Sequence, residues 1–171
     1  YAMVLEVEDK TSGLSGRDAA VKLFLADGTT KVFNVDSDFA DTDTSLINKG
    51  DWVNPEGESR RFSTDPATKG KALVTLLVEY SVNKDGVIDF IDEVSFTNST
   101  TTDATTELTS RNYYDGYAVA SDAIMFTYDG TDPSNDDNYG VTTVAKASGS
   151  KFAADYLVKS QKIKVMVIEG L

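Results

Sequence analysis

The sequence predicts an all-β protein of two small barrel- or sandwich-like units, with at most one short helix. Three observations carry this. Apolar residues alternate with polar ones at period two along much of the chain, the pattern of half-buried strands. Asp-Gly steps at 27-28, 85-86, 115-116 and 129-130 mark a chain that turns back repeatedly. Asp outnumbers Glu by 20 to 8 and Thr is frequent, a bias toward turns and strands where a helical acidic chain would favour Glu.

The elements follow in order. Tyr1 to Glu8 (YAMVLEVE) alternates roughly and reads as a strand, and Asp9 to Gly16 as a polar loop. Ala19 to Leu25 and Lys31 to Val35 form a hairpin through Ala26-Asp27-Gly28-Thr29-Thr30. Val21, Leu23 and Leu25 share one face, and Phe33 and Val35 oppose Val32 and Asn34 on the return strand. Asp36 to Thr44 is an acidic loop. Ser45 to Gly50 has the look of one helical turn before Asp51-Trp52-Val53, and Pro55 to Gly70 reads as an exposed excursion.

Leu73 to Phe96 is the second hairpin and the expected spine of the first unit. Its turn, Asn83-Lys84-Asp85-Gly86, is expected to join the two longest strands. Asn98 to Thr106 is a low-complexity polar run, which places units at 1–97 and 107–171 with a boundary at 98–106. Val119 to Tyr128 reads as two short strand pieces around Ser121-Asp122. The acidic loop Asp129 to Asn138 leads into Tyr139 to Lys146. Lys151 to Lys162 is the one helix candidate, with Phe152 and Tyr156 four apart behind a Ser150 cap, and Ile163 to Ile168 is a last strand. About nine strands result.

Charge and missing residue types narrow the function. At 171 residues and a formal net charge of −12 the chain repels phosphate backbones and anionic lipid, so neither nucleic acid nor a membrane surface is an expected partner. No apolar run approaches the ~20 residues of a membrane helix, so no membrane insertion by a helix is expected. The chain has no Cys and no His, which removes disulfides, thiol nucleophiles, His-based zinc sites and Ser-His-Asp chemistry. No Gly-x-Ser-x-Gly or phosphate-loop pattern occurs, and no carboxylate pair is set apart by spacing. The expectation is that the protein is not an enzyme and has no resident cofactor.

Two kinds of site are still to be weighed. Counted from Ser81, the residues Asn83, Asp85, Gly86, Ile88, Asp89 and Asp92 match six of seven EF-hand slots. Ser81 fails the obligatory first carboxylate and the flanks alternate like strands, so a hairpin turn is preferred. Asp129, Asp132, Asp136 and Asp137 cluster in one loop, and Asp36, Asp38, Asp41 and Asp43 in another. Hard oxygen ligands on loops suit calcium, the candidate metal; a solvated acidic loop is the plainer reading. Trp52 with Tyr113, Tyr114 and Tyr117 offers an aromatic platform for stacking a sugar, against core anchoring as the commoner fate of large aromatics.

The order YAMVLEVE, AAVKLFLADGTTKVFNVD, Asn48-Lys49-Gly50-Asp51-Trp52-Val53 and LVEYSVNKDGVIDFI, followed by DAIMFTY at Asp122 to Tyr128, resembles the β-rich segments of clostridial-type surface-layer proteins that carry S-layer homology modules. The anchoring S-layer homology motif is absent from this stretch. The resemblance implies a non-catalytic spacer or lattice-forming segment of an exported cell-surface or cell-wall protein. The implied partners are neighbouring surface-protein domains, copies of itself or cell-wall glycan. A chain that opens inside a strand also reads as a fragment of something longer. The alternative is a carbohydrate- or ligand-binding module on such a protein.

Overall fold

The computed structural model describes residues 1–9, 19–36, 62, 67–68, 70–97 and 104–170. Among them the protein is all-β, with ten strands, one four-residue α-helix and one 3-10 turn. The chain divides into two compact units. One holds Tyr1–Leu25, Thr29–Val94 and Thr131–Asp136; the other holds Ala26–Gly28, Ser95–Gly130 and Asp137–Leu171.

The first unit is a closed five-stranded barrel of order β1-β2-β3-β5-β4. Its strands are β1 (Ala2–Asp9), β2 (Ala19–Leu25), β3 (Thr30–Val35), β4 (Leu77–Val82) and β5 (Ile88–Glu93). A meander of three strands is followed by a parallel step from β3 to β5 at Val35 and Ile88, and β4 closes onto β1. This is a small Greek-key barrel of the kind that includes the OB-fold.

A β-bulge explains why Tyr1 to Glu8 alternates only roughly. β1 pairs Val4 with Leu23 and then Glu6 with Lys22, so Leu5 is an extra residue. The insertion resets the parity, and Val4 and Val7, three apart, both enter the core while Glu6 and Glu8 turn outward. Val21, Leu23, Phe33, Val35, Val78, Ile88 and Ile91 complete that core, as the alternation of β2 and β3 predicts.

Residues 70–76 continue along β1 beyond its pairing with β4. Val7 N donates to Gly70 O at 2.9 Å, Ala72 N to Leu5 O at 3.0 Å and Val4 N to Leu76 O at 2.9 Å. Leu73 and Val74 bend away from β1 and are exposed, so β4 begins at Leu77, not Leu73. At six residues each, β4 and β5 are also not the longest strands; β7 has twelve. The longer apolar run contains two hydrogen-bonded pieces with a bend between them.

The second unit is a five-stranded sheet. β6 (Tyr113–Tyr114), β7 (Tyr117–Tyr128), β10 (Lys162–Glu169) and β9 (Ala153–Lys159) lie in that order, with β8 (Tyr139–Thr142) on β7. Val119 to Tyr128 is part of one continuous strand, not two pieces. Ser121 and Asp122 lie in an irregularity where Val119 and Ile124 of β7 meet Ile163 and Val165 of β10. Across it the Lys164 ammonium contacts the Asp122 carboxylate at 3.1 Å, and that hydrogen bond holds the exposed Asp122 carboxyl below its ordinary range.

Lys151 to Lys162 is not a helix. Phe152, Ala154 and Tyr156 are buried at period two, and β9 pairs antiparallel with β10 through the turn Ser160-Gln161. Both turn residues have left-handed φ, 52° and 63°, the conformation of a type I′ hairpin. Phe152 and Tyr156 share a face under strand periodicity as well as helical periodicity, and Ser-Gln lacks the Asn-Gly signature. The α-helix among the described residues, α1 (Val144–Ala147), is capped by the Thr143 side chain and buries Val144 and Ala147. In β10, Val165 to Ile168 are buried without a break, so both faces of that strand are covered.

Candidate functional site

The turn that resembles a calcium loop is held by its own side chains. Asn83 Oδ1 accepts from the backbone N–H groups of Asp85 (3.0 Å) and Val87 (3.1 Å), an Asx turn, and Gly86 supplies a φ of 78°. Ser81 Oγ donates to Asp89 Oδ1 at 2.6 Å. Strands β4 and β5 flank it where an EF-hand needs helices.

In the second acidic loop, Asp132 Oδ1 accepts from Ser134 Oγ (2.6 Å) and Ser134 N (2.9 Å). The Ser134 hydroxyl, then the N–H, hold the Asp132 carboxyl below the usual carboxylate range. Asp136 Oδ1 lies 3.6 Å from Lys22 Nζ, and Asp136 and Asp137 begin the 3-10 turn Asp136–Asn138. Asp129 N donates to Asn138 O at 2.9 Å. Among the described residues no group of three or more His, Cys, Asp or Glu side chains is placed to hold a metal ion. Asp38, Asp41 and Asp43 lie outside the described residues, as does Trp52.

The three tyrosines are separated by strand parity and the Asp115-Gly116 turn. Both turn residues have positive φ, 46° and 82°, and Tyr114 pairs with Tyr117, Tyr113 with Ala118. Tyr114 is fully buried. Its hydroxyl donates to Phe152 O at 2.8 Å, its ring stacks on Phe152 at 5.0 Å, and it meets Tyr156 edge-on at 6.0 Å. Tyr117 is 39 % exposed and leans on Tyr156, whose hydroxyl donates to Asp115 Oδ2 at 2.6 Å. Tyr113 is 50 % exposed and points to the opposite face.

A cleft of about 360 Å³ lies on the outer face of the barrel. Strand pairing sets its wall as a row: Lys71 opposite Glu6, Glu6 opposite Lys22, Lys22 opposite Val32. Neighbours in such a row are ~4.8 Å apart. Glu8 lies two residues along from Glu6, opposite Ala20, whose small side chain leaves the floor open. Sequence reading passes over these residues because the row exists only through the register of three strands. The available signal is the outward alternation of Glu6, Glu8, Lys22 and Val32.

No protein-family model, curated protein or solved structure matches the chain.

One further carboxyl is perturbed. Burial, with the Glu169 carboxylate adding to it, pushes Asp155 up to about 6. Asp155 pairs with Val167 across the β9–β10 hairpin, so its environment is set by apolar strand neighbours. A raised carboxyl beside a second one has the elements of acid–base chemistry. Here it is accounted for by the strand position, on the sheet face that also carries the buried Val165, Val167 and Leu157.

Proposed function

We propose that this chain is a non-catalytic structural segment of an exported bacterial cell-surface protein of the S-layer type. It acts as a spacer or lattice-forming piece, and its partners are neighbouring domains of that protein or further copies of it. One observation carries the reading. Among the described residues, candidate side chains are engaged in building the fold: Tyr114 with Phe152, Tyr156 with Asp115, Asn83 with its own turn, Asp132 with Ser134. The resemblance of the strand-and-turn order to S-layer segments supports the cellular setting, and the fold alone would not, since one architecture serves many functions.

Antibodies raised against the chain and applied to intact cells of the organism that makes it test this. Labelling of unbroken cells is expected; labelling only after lysis would overturn the assignment to the surface.

The second reading is a carbohydrate-binding module, favoured by the exposure of Tyr117. Under it Tyr117→Ala abolishes binding to a wall glycan while the fold persists.

A further inference from the structure

Strand β3 closes the barrel along only part of its length. Among the described residues it meets β5 at one pair, Val35 with Ile88. There the Asp36 N–H donates to Ile88 O at 2.7 Å, and at the other end of the strand Leu25 N donates to Thr29 O. Alternation between these fixed points turns the N–H and C=O groups of Lys31 and Phe33 toward β2, and those of Thr30, Val32 and Asn34 toward the opposite edge. Among the described residues no hydrogen bond reaches Val32 on that edge.

Open strand edges are ordinarily guarded by proline, a bulge or an outward charge. This one has no proline and an unbroken register with β2. Its one charge, Lys31, lays its ammonium over the Phe33 ring at 4.6 Å. The central side chain, Val32, is 60 % exposed.

We propose that this edge pairs with the same edge of a second copy, antiparallel about a two-fold axis at Val32. The strand is self-complementary in that register. Val32 faces Val32 of the copy as a hydrogen-bonded pair, Thr30 faces Asn34, and Lys31 faces Phe33, a ring that already takes an ammonium. Centring on Lys31 instead would set two ammonium groups opposite each other, which destabilises a strand pair. One short edge buries far less than the ~1,200–2,000 Å² of a stable interface. Two chains of net charge −12 also repel. The pairing is therefore weak in solution and counts where copies are held side by side. It deepens the lattice-forming reading and rests on it only for its setting: association is read in solution, location on intact cells.

Sedimentation equilibrium of the intact chain up to ~1 mM tests the contact. A dimer with a Kd of ~1 mM is expected, tightening severalfold as added salt screens the like charge. Val32→Pro removes an edge N–H that β2 does not use, and Val32→Lys keeps every hydrogen bond but opposes two ammonium groups at the axis; each should weaken association about tenfold. Thermal melts check that both variants stay folded, and Val32→Lys alone carries the test if proline disturbs the strand. The chain has no Cys, so Val32→Cys reports the pairing directly. Opposed Cα atoms of a hydrogen-bonded pair lie ~5.5 Å apart, within disulfide reach. Oxidation should link Val32→Cys into dimers several times faster than Val141→Cys, an exposed control on β8. A monomer at ~1 mM in every salt, association unchanged in the folded Val32 variants, or equal linking at 32 and 141 overturns the proposal.

Discussion

Removing the Tyr114 hydroxyl separates an anchoring tyrosine from a ligand-stacking one. In Tyr114→Phe the ring keeps its stack on Phe152 at 5.0 Å and its edge contact with Tyr156 at 6.0 Å, but the 2.8 Å hydrogen bond to the Phe152 carbonyl is lost. Leaving a buried carbonyl without that donor costs ~1–2 kcal/mol. Tyr114→Ala also empties a fully buried ring site, for ~3–5 kcal/mol. Tyr113→Ala, on the exposed neighbour, stays within ~0.5 kcal/mol. In a unit of this size ~1 kcal/mol moves the midpoint by ~4–8 °C. Calorimetry of the three variants should therefore order them Tyr113→Ala, Tyr114→Phe, Tyr114→Ala, with wide gaps. If Tyr114→Ala were as mild as Tyr113→Ala, the anchoring role would be refuted.

Other expectations follow from single residues. Folded Asp155 keeps its proton to about pH 6, whereas the unfolded chain releases it near 3.8. The folded state therefore binds more protons between these values, and this group's contribution to stability is lost as pH rises through them. The full shift corresponds to ~3 kcal/mol, and partial exposure reduces it to ~1 kcal/mol. Asp155→Asn should stabilise by that amount at pH 7 and by little at pH 4, read from urea midpoints. Gly70 has φ 83°, and an added Cβ would lie 2.3 Å from Val7 O; Gly86 has φ 78° and open space around it. Both alanine variants incur ~1–2 kcal/mol of left-handed strain, and Gly70→Ala should cost clearly more in thermal melts. Replacing Ser160-Gln161 by Asn-Gly suits the two positive φ values and should raise stability by ~1 kcal/mol, read from urea midpoints. Asp132→Ala removes the acceptor for Ser134 and should lower Tm equally in chelator and in millimolar calcium; a larger loss in calcium would place the ion at this loop.

Much of the fold was legible because local chemistry agreed with the final pairing. The β2–β3 hairpin follows from Asp27-Gly28 and the alternation of Val21, Leu23, Phe33 and Val35. Where backbone irregularities intervene, linear periodicity misleads. The extra residue Leu5 shifts the face of β1, and the irregularity at Ser121-Asp122 divides the apparent pattern of β7 without ending the strand. The β9–β10 hairpin was hidden because Ser160 and Gln161 adopt a conformation usually given to Asn and Gly. Burial of Tyr114 beside exposed Tyr113 follows from period two once β6 is known to be a strand. The cleft was not legible at all. Opposing Glu6 to Lys22, and Lys22 to Val32, is a product of register, which no single stretch encodes.

A glycan array probed with the intact chain bears most directly on the claim that these aromatic and acidic groups serve the fold and not a ligand. The account predicts no cell-wall or other glycan bound above background, in calcium or in chelator. A glycan retained by the wild-type chain and lost in Trp52→Ala or Tyr117→Ala would contradict it.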